Sequence, residues 1–186
     1  MFGCLIRRGI TGLFAAGILL TAHATWAEHG KVAAVVDAKG HISLPEDFRQ
    51  HMSHLGSWFV PEGDASGFHD VYMTPDAVSH FQAKGQFPNG AVIVKELRGH
   101  KTGNYTTGQN VAFAGGGLKQ WFVMVKDTDN SYPDNPSWGD GWGWALFQPG
   151  KEGNVSNNYK TDCLGCHVPA RSNDWIYVEA YPTLKR

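Results

Sequence analysis

The sequence predicts an α+β domain that is mainly β, in which an antiparallel sheet is accompanied by a few short helices. Two observations lead to this class. The chain contains 23 glycines and 9 prolines among its 186 residues, which is a composition unlike that of a helical bundle. Its periodic segments are also short: two carry helix start signals, and five or six have the pattern of strands separated by turn residues.

Two segments are predicted to be helical because each begins with proline at the first helical position. The first opens at Pro45, with acidic residues in its first turn, and is predicted to end near Gly56. The second opens at Pro75. There Thr74 is expected to cap the helix and Gly85 to close it.

Short apolar runs bounded by turn residues predict the strands. These runs are 57–60, 69–73, 91–98, 118–126, 142–147 and 175–181. The pair Asn89-Gly90 predicts a tight turn that leads into the third of them. The segments 99–109 and 127–141 are rich in polar and turn-forming residues, so both are predicted to be loops.

The N-terminus has the pattern of an export signal. A pair of arginines precedes the apolar stretch 9–22, and small residues follow it, so cleavage is predicted after Ala27. A cut after Ala24 and an uncleaved anchor are the alternatives, although the stretch is shorter than the about 20 residues of a comfortable span. The prediction is a signal peptide at 1–27 and one domain at 28–186 in the periplasm.

The charge balance bears on the class of partner. Lys and Arg number 16 and Asp and Glu number 17, which gives a formal net charge of −1. Nothing in this balance indicates nucleic-acid binding. The length that follows the predicted signal is sufficient for one domain with a sizeable core.

A C-x-x-C-H motif near the C-terminus is the most specific feature of the chain. Cys163 and Cys166 have the spacing at which each thiol adds to one haem vinyl group, and His167 follows as an axial iron ligand. A redox dithiol would not require the histidine, and a zinc site would need a second ligand pair. The remaining cysteine, Cys4, lies in the predicted signal. The sequence therefore predicts one covalently bound haem c in a C-terminal haem-binding segment.

The predicted strand 91–98 contains a lysine among aliphatic residues. Because side chains alternate along a strand, Ala91, Ile93, Lys95 and Leu97 share one face. Burial on that face would lower the pKa of the lysine amine and make the neutral amine a nucleophile. An edge strand whose lysine reaches water is the alternative, and the pattern alone favours it.

Several stretches together resemble one known family. They are 44–49, 71–75, 85–97 and 181–184, in addition to the C-x-x-C-H motif. In this combination the chain resembles the cytochrome P-460 family, which includes the sheet-type cytochromes c-prime. The resemblance covers most of the mature domain and implies a mainly β homodimer with one five-coordinate haem c.

The resemblance also implies an activity. P-460 enzymes oxidise hydroxylamine to nitrous oxide or nitric oxide at an open ferric haem, and a soluble cytochrome c is the expected electron acceptor. By motif position, Lys95 is the residue that bonds to a porphyrin meso carbon. The sheet-type cytochromes c-prime lack this bond and bind nitric oxide under a cap of aromatic side chains. Phe68 and Phe87 are the candidates for such a cap, with core packing as their alternative role.

Hydroxylamine oxidation needs a base near the open face of the haem. His69 is the first candidate, because the resemblance implies a basic residue near this position; a surface strand histidine is the alternative. Glu96 is a weaker candidate, since it should point away from Lys95. Asp162 is also a weaker candidate for the base, because its place beside the attachment motif does not by itself imply a role in proton transfer.

The sequence leaves two other functions open. One is a plain electron-transfer cytochrome with a second axial ligand, and the other is a nitric oxide carrier or sensor. The methionines after the predicted cleavage site are Met52, Met73 and Met124. None lies in a segment with the pattern of a ligand loop, and Met124 is predicted to be core. The scattered histidines are predicted to be mostly at the surface. Three tryptophans are clustered in a glycine-rich segment: Trp138, Trp142 and Trp144. They could line the haem or form a dimer face, but the pattern favours packing in the core.

Overall fold

An antiparallel sheet forms the centre of the structure, a computed structural model that describes residues 35–185. The predicted fold class, mainly antiparallel β with a few short helices, is confirmed. The signal predicted at 1–27 lies outside the described residues, and so does His29. Within residues 35–185, no helix has the length and apolarity needed to cross a membrane.

Eight strands occur within residues 35–185. They are β1 (Ser53–Val60), β2 (Gly67–Met73), β3 (Val92–Arg98), β4 (Lys101–Tyr105), β5 (Gly108–Phe113), β6 (Leu118–Lys126), β7 (Trp138–Gly139) and β8 (Trp142–Phe147). Six of them form one sheet in the order β1-β2-β3-β6-β8-β7, and every neighbouring pair is antiparallel. Strands β4 and β5 form a separate hairpin.

The helices are short and lie mostly at the C-terminal end. They are α1 (Phe48–His51), α2 (Pro75–Lys84), α3 (Tyr159–Asp162) and α4 (Leu164–His167), followed by 3₁₀ turns at Val168–Asn173, Val178–Ala180 and Pro182–Leu184. The C-terminal segment 159–184 packs against one face of the sheet, where Trp175 and Tyr181 join the same buried cluster as Val71 and Ile93. This packing places the C-x-x-C-H motif beside the sheet.

The sheet is buried on both faces. Ile93 and Met124 belong to the core under the C-terminal segment, whereas Val92, Val94 and Val123 belong to a second core on the opposite face. Alternation of side chains along each strand sends successive residues into different cores. Strand β3 lies between β2 and β6, so the edge-strand alternative for its lysine is wrong.

Strand β3 is anchored on the second face by a buried carboxylate. Glu96 is only 2% exposed and accepts hydrogen bonds from Arg49, from Arg98 Nε at 2.5 Å and from Trp121 Nε1 at 3.0 Å. These partners satisfy a charge whose burial would otherwise be costly. As expected, Glu96 points away from Lys95, which lies on the other face.

The first predicted helix is wrong over most of its length. Asp47 adopts a left-handed conformation with φ of 50°, so the helix begins only at Phe48 and ends at His51. From Ser53 onward the chain pairs with β2. The start signal at Pro45 was therefore outweighed by cross-strand pairing, which no local pattern in this segment reveals.

Two further predictions are corrected. The predicted loop 99–109 contains all of β4 and the start of β5. Its residues are polar on both faces because the hairpin is largely exposed, so the alternation that marks a half-buried strand is missing. The predicted last strand, 175–181, is instead a turn followed by 3₁₀ structure, because Asp174 and Trp175 are both left-handed, with φ of 57° and 66°.

Most other elements agree with prediction, but β1 begins four residues before the predicted strand 57–60, and β7 lies within the predicted loop 127–141. Strands β6 and β8 have the predicted bounds, while β2 and β3 differ from theirs by two residues or fewer. Helix α2 begins at Pro75 and ends before Gly85, whose φ of 73° is the left-handed value that glycine adopts readily. Thr74 occupies the capping position, but its side chain makes no capping hydrogen bond.

Candidate functional site

A cavity of about 270 Å³ lies between the sheet and the C-terminal segment. Its walls are chiefly apolar, and they bring together the five residues that the sequence favours for haem binding and catalysis. These residues are His69, Lys95, Cys163, Cys166 and His167. His69 comes from β2 and Lys95 from β3, while Cys163 lies at the junction of α3 and α4, and Cys166 and His167 lie in α4. Two strands and the C-x-x-C-H motif therefore meet at one place.

The two cysteines of the motif are free thiols that both line the cavity but differ in burial. Cys163 is buried and Cys166 is exposed. Burial raises the pKa of the Cys163 thiol. Because α4 spans only 164–167, both sulfur atoms and the imidazole that follows them are presented from a single helical turn.

His167 is held in a defined orientation. Its Nδ1 lies 2.7 Å from the carbonyl oxygen of Trp175, and since a carbonyl can only accept, Nδ1 carries the proton and Nε2 carries the lone pair. The ring of Trp144 packs edge-on against the imidazole, with centroids 5.0 Å apart. Burial lowers the pKa of His167. A neutral imidazole with an oriented Nε2 lone pair is the form that binds a metal ion.

Lys95 extends its amine into the cavity. Because the cavity is open to solvent, the side chain as a whole keeps some exposure. Its Nζ lies 4.1 Å from the centre of the Phe122 ring, and within residues 35–185 no carboxylate forms an ion pair with it. Burial lowers the pKa of the amine, and the nearby thiols of Cys166 and Cys163 oppose this effect. A larger neutral fraction makes Lys95 a better nucleophile.

His69 is half-buried at the cavity wall. Its Nε2 lies 2.7 Å from the carbonyl oxygen of Ala65, so Nε2 donates and Nδ1 is the basic nitrogen. Burial lowers the pKa of His69; the hydrogen bond to Ala65 opposes this, and the charge of Lys95 adds to it. The imidazole is therefore neutral at pH 7 and able to accept a proton. The alternative of a surface histidine does not describe this position.

Asp162 also borders the cavity but is committed to local structure. Its carboxylate accepts hydrogen bonds from the Thr161 hydroxyl and from the backbone N–H groups of Asn157 and Asn158. These bonds lower the pKa of Asp162 to about 2. A carboxylate with so low a pKa is a poor general base, and its contacts instead fix the loop that leads into the motif.

The aromatic residues of the cavity differ from those nominated. Phe68 lies on the opposite face of β2 from His69 and packs against Phe59, with centroids 5.0 Å apart. Phe87 stacks on Phe81, with centroids 4.4 Å apart, inside the core. The nominations of Phe68 and Phe87 as caps are therefore wrong, and Phe122 is the phenylalanine that lines the cavity.

The contribution of β6 to the cavity was not predicted from the sequence. Gln120, Phe122 and Met124 alternate along this strand and all line the cavity. Alternation alone places them on one face, but only the pairing of β6 with β3, in which Phe122 opposes Lys95, shows that this face is that of the cavity. Met124 is 6% exposed and belongs to the core, as predicted.

The tryptophans and histidines behave mostly as predicted. Trp138 and Trp142 are core residues, while Trp144 is both a core residue and a wall of the cavity. Most of the remaining described histidines are exposed; these are His41, His51, His54 and His80.

The residues present fit a c-type haem. Two free thiols, an oriented imidazole and an apolar cavity are the donors and surroundings that this group requires. Residues 35–185 contain no cluster of three or more His, Cys, Asp or Glu side chains that could hold a metal ion by themselves. The zinc alternative therefore finds no second ligand pair in this part of the chain.

Comparison with known proteins identifies one family. The family model described as Cytochrome P460 matches residues 45–178. The matched range includes β1 to β8, the C-x-x-C-H motif and all five nominated site residues. No curated protein matches the chain.

Proposed function

The chain belongs to the cytochrome P460 family of haem cytochromes, and from this premise we propose that it oxidises hydroxylamine to nitrous oxide or nitric oxide in the periplasm. The observation that carries the proposal is the convergence of the Lys95 amine with Cys163, Cys166 and His167 on one cavity. The acting form in this proposal is a homodimer with one haem c per chain. A soluble cytochrome c accepts the electrons.

Three residues would hold the haem. The thiols of Cys163 and Cys166 add across its vinyl groups, and His167 binds the iron through Nε2. When bound, the haem iron supplies an open coordination position for the nitrogen of hydroxylamine and takes up its electrons. The apolar walls contributed by Val71, Ile93 and other strand residues exclude water from that position.

Lys95 would form a further covalent bond to the haem. The bond would join its Nζ to a porphyrin meso carbon, with one N–H and one C–H bond broken. This would be a two-electron oxidation, for which hydrogen peroxide, reduced to two molecules of water, would be the oxidant. The lowered pKa of Lys95 supports the step, because the neutral amine is the reactive form.

His69 would take up the protons that hydroxylamine loses. Its Nδ1 is the basic nitrogen, since Nε2–H is directed to Ala65. Because burial lowers its pKa from the ordinary 6.5, the imidazole is in its accepting form throughout the neutral range. Positioned bases of this kind contribute about 10²-fold to 10⁴-fold to rate.

The proposal is tested by adding hydroxylamine to the haem-loaded protein and following the reduction of a soluble cytochrome c by its absorbance. We expect reduction that depends on both components, together with release of nitrous oxide or nitric oxide. Mass spectrometry of a protease digest is expected to find the Lys95 peptide attached to the Cys163–Cys166 haem peptide. Fully loaded protein without turnover and with a free Lys95 peptide would contradict the proposal.

The role of His69 gives a separate prediction. Glutamine at this position keeps an N–H donor for the carbonyl of Ala65 but lacks a basic nitrogen, so His69→Gln is expected to lower kcat/KM at pH 7 about a hundredfold. In the unaltered protein kcat/KM is expected to fall only at a pH below the ordinary imidazole range, as His69 becomes protonated, because burial lowers its pKa. The variant should lack this fall.

The matched control is His80→Gln, because His80 is exposed on α2 and distant from the cavity walls. It is expected to leave both the rate and the pH profile unchanged. If His69→Gln retained the full rate and the same acid limb, the base would have to be another group.

A second candidate function is favoured by one observation. The Phe122 ring covers the Lys95 amine at 4.1 Å, and a lysine held in this contact would not reach the porphyrin. The cavity would then be an apolar pocket suited to a small neutral ligand, as in a nitric oxide carrier. A free Lys95 peptide combined with nitric oxide binding and no hydroxylamine turnover would select this function.

A further inference from the structure

A strained turn lies directly behind His167. Asp174 and Trp175 are consecutive non-glycine residues in the left-handed region, with φ of 57° and 66°. This conformation is unfavourable for side chains that carry a Cβ, and it persists only where surrounding contacts impose it. Something in the structure must therefore hold this turn.

Three side chains form the contacts that hold it, and we refer to Lys126, Trp142 and Asp174 as the Asp174 clamp. Lys126 Nζ lies 2.8 Å from Asp174 Oδ1, and its side chain is only 10% exposed. Trp142 Nε1 donates to both the backbone carbonyl of Asp174, at 3.1 Å, and its Oδ1, at 3.2 Å. The Lys126 amine also lies 4.9 Å from the centre of the Trp142 ring.

The clamp is built on rigid elements. Lys126 and Trp142 are directly opposed residues of β6 and β8, and Trp142 is fully buried. Both therefore have positions set by the sheet, whereas Asp174 belongs to the irregular C-terminal segment. The clamp ties that segment to the sheet at the first of its two consecutive left-handed residues.

The strained turn directs a carbonyl group at the histidine of the motif. The N–H of Trp175 donates to the carbonyl of Ala170 at 3.0 Å. Its own carbonyl accepts from His167 Nδ1 at 2.7 Å. The chain of contacts therefore runs from Lys126 and Trp142 through Asp174 to the hydrogen bond that orients His167.

We propose that Lys126, Trp142 and Asp174 are positioning residues for His167: by holding the left-handed turn, they keep the Trp175 carbonyl on Nδ1 and so set the orientation and the donor strength of Nε2. The inference rests on the proposed function, because it takes His167 as the axial iron ligand. A strong hydrogen bond from Nδ1–H makes Nε2 a better donor and favours the ferric state. Loosening the turn weakens that bond.

The test uses Lys126→Met and Asp174→Asn in the haem-loaded protein. Methionine keeps the packing volume without the charge, and asparagine tolerates the left-handed conformation. Both variants are expected to raise the reduction equilibrium constant of the haem by about tenfold. This is the lower limit of the effects that mutation of outer-shell partners has on metal affinity or activity. The iron–histidine stretching band of the ferrous protein, measured by resonance Raman spectroscopy, is expected to move to lower frequency.

Two further variants separate positioning from stability. Asp174→Gly removes the carboxylate but adopts positive φ without a Cβ penalty, so it is expected to move the band with little loss of melting temperature. Lys160→Met is the matched control, because this exposed lysine also lies over an aromatic ring, that of Tyr159. It should change neither the band nor the reduction equilibrium.

The outcomes distinguish failure of the inference from failure of the proposed function. If the clamp variants lower the melting temperature but leave the band and the reduction equilibrium unchanged, the clamp is merely structural and the inference is overturned. If the unaltered ferrous protein shows no iron–histidine band, the iron has no open position beside a histidine ligand, and if His167→Gly still shows the band, another histidine is the ligand; either result overturns the proposed function.

Discussion

Replacing Lys95 with methionine is expected to lower hydroxylamine turnover at least about a hundredfold, the loss typical of a misplaced reacting group, while the haem stays attached. Methionine fills the space of the lysine stem between Ile93 and Leu97 but offers no nucleophile. Because Lys95 is not part of the attachment motif, Cys163 and Cys166 can still form thioethers. The measurement is hydroxylamine-dependent reduction of a soluble cytochrome c, per mole of bound haem.

Two companion variants make this result specific. Lys95→Arg keeps the positive charge but cannot act as a neutral amine, because the guanidinium is not deprotonated in proteins; it is expected to fail like Lys95→Met. Lys84→Met, at the exposed end of α2, is expected to leave turnover unchanged. Full turnover in Lys95→Met would remove the amine from the mechanism, and rescue by arginine would assign it a purely electrostatic role.

The position of Lys95 shows how much of the site was accessible from sequence. Alternation along β3 placed its amine on the same face as Ile93 and Leu97, and that is where it lies. The same alternation could not tell a central strand from an edge strand, since strand order depends on pairing between distant segments. Local pattern therefore predicted the direction of the side chain, and only the pairing of β3 with β2 and β6 established its burial.

The C-terminal segment shows where sequence reasoning failed. The apolar run 175–181 has a strand pattern, yet it forms a turn and 3₁₀ structure. Its apolar side chains are buried under the sheet rather than within it, as for Trp175, Ile176 and Tyr181. A run of buried apolar residues predicts burial reliably but not the backbone conformation that achieves it. The left-handed turn at 174–175 depends on Lys126 and Trp142, which are remote in sequence.

Replacing both Cys163 and Cys166 with alanine is expected to abolish thioether attachment of the haem completely, while the protein still folds. The thiols are the groups that add to the vinyl carbons, and alanine has none. Cys166 is exposed and Cys163 makes few polar contacts beyond the Ser156 hydroxyl, 3.9 Å away. The loss to the apolar core is therefore small. Mass spectrometry of the denatured protein measures attachment, and far-ultraviolet circular dichroism checks the fold.

The residue between the cysteines provides the matched control. A methyl group added at Gly165 would meet no other atom within 4 Å, so Gly165→Ala alters the motif without altering a thiol, and it is expected to leave attachment intact. The single variants Cys163→Ala and Cys166→Ala are each expected to retain one thioether, because each thiol reacts with its own vinyl group. Covalent haem in the double variant would show that another side chain holds it. Lys95 is the residue to examine in that event, because its amine reaches into the same cavity.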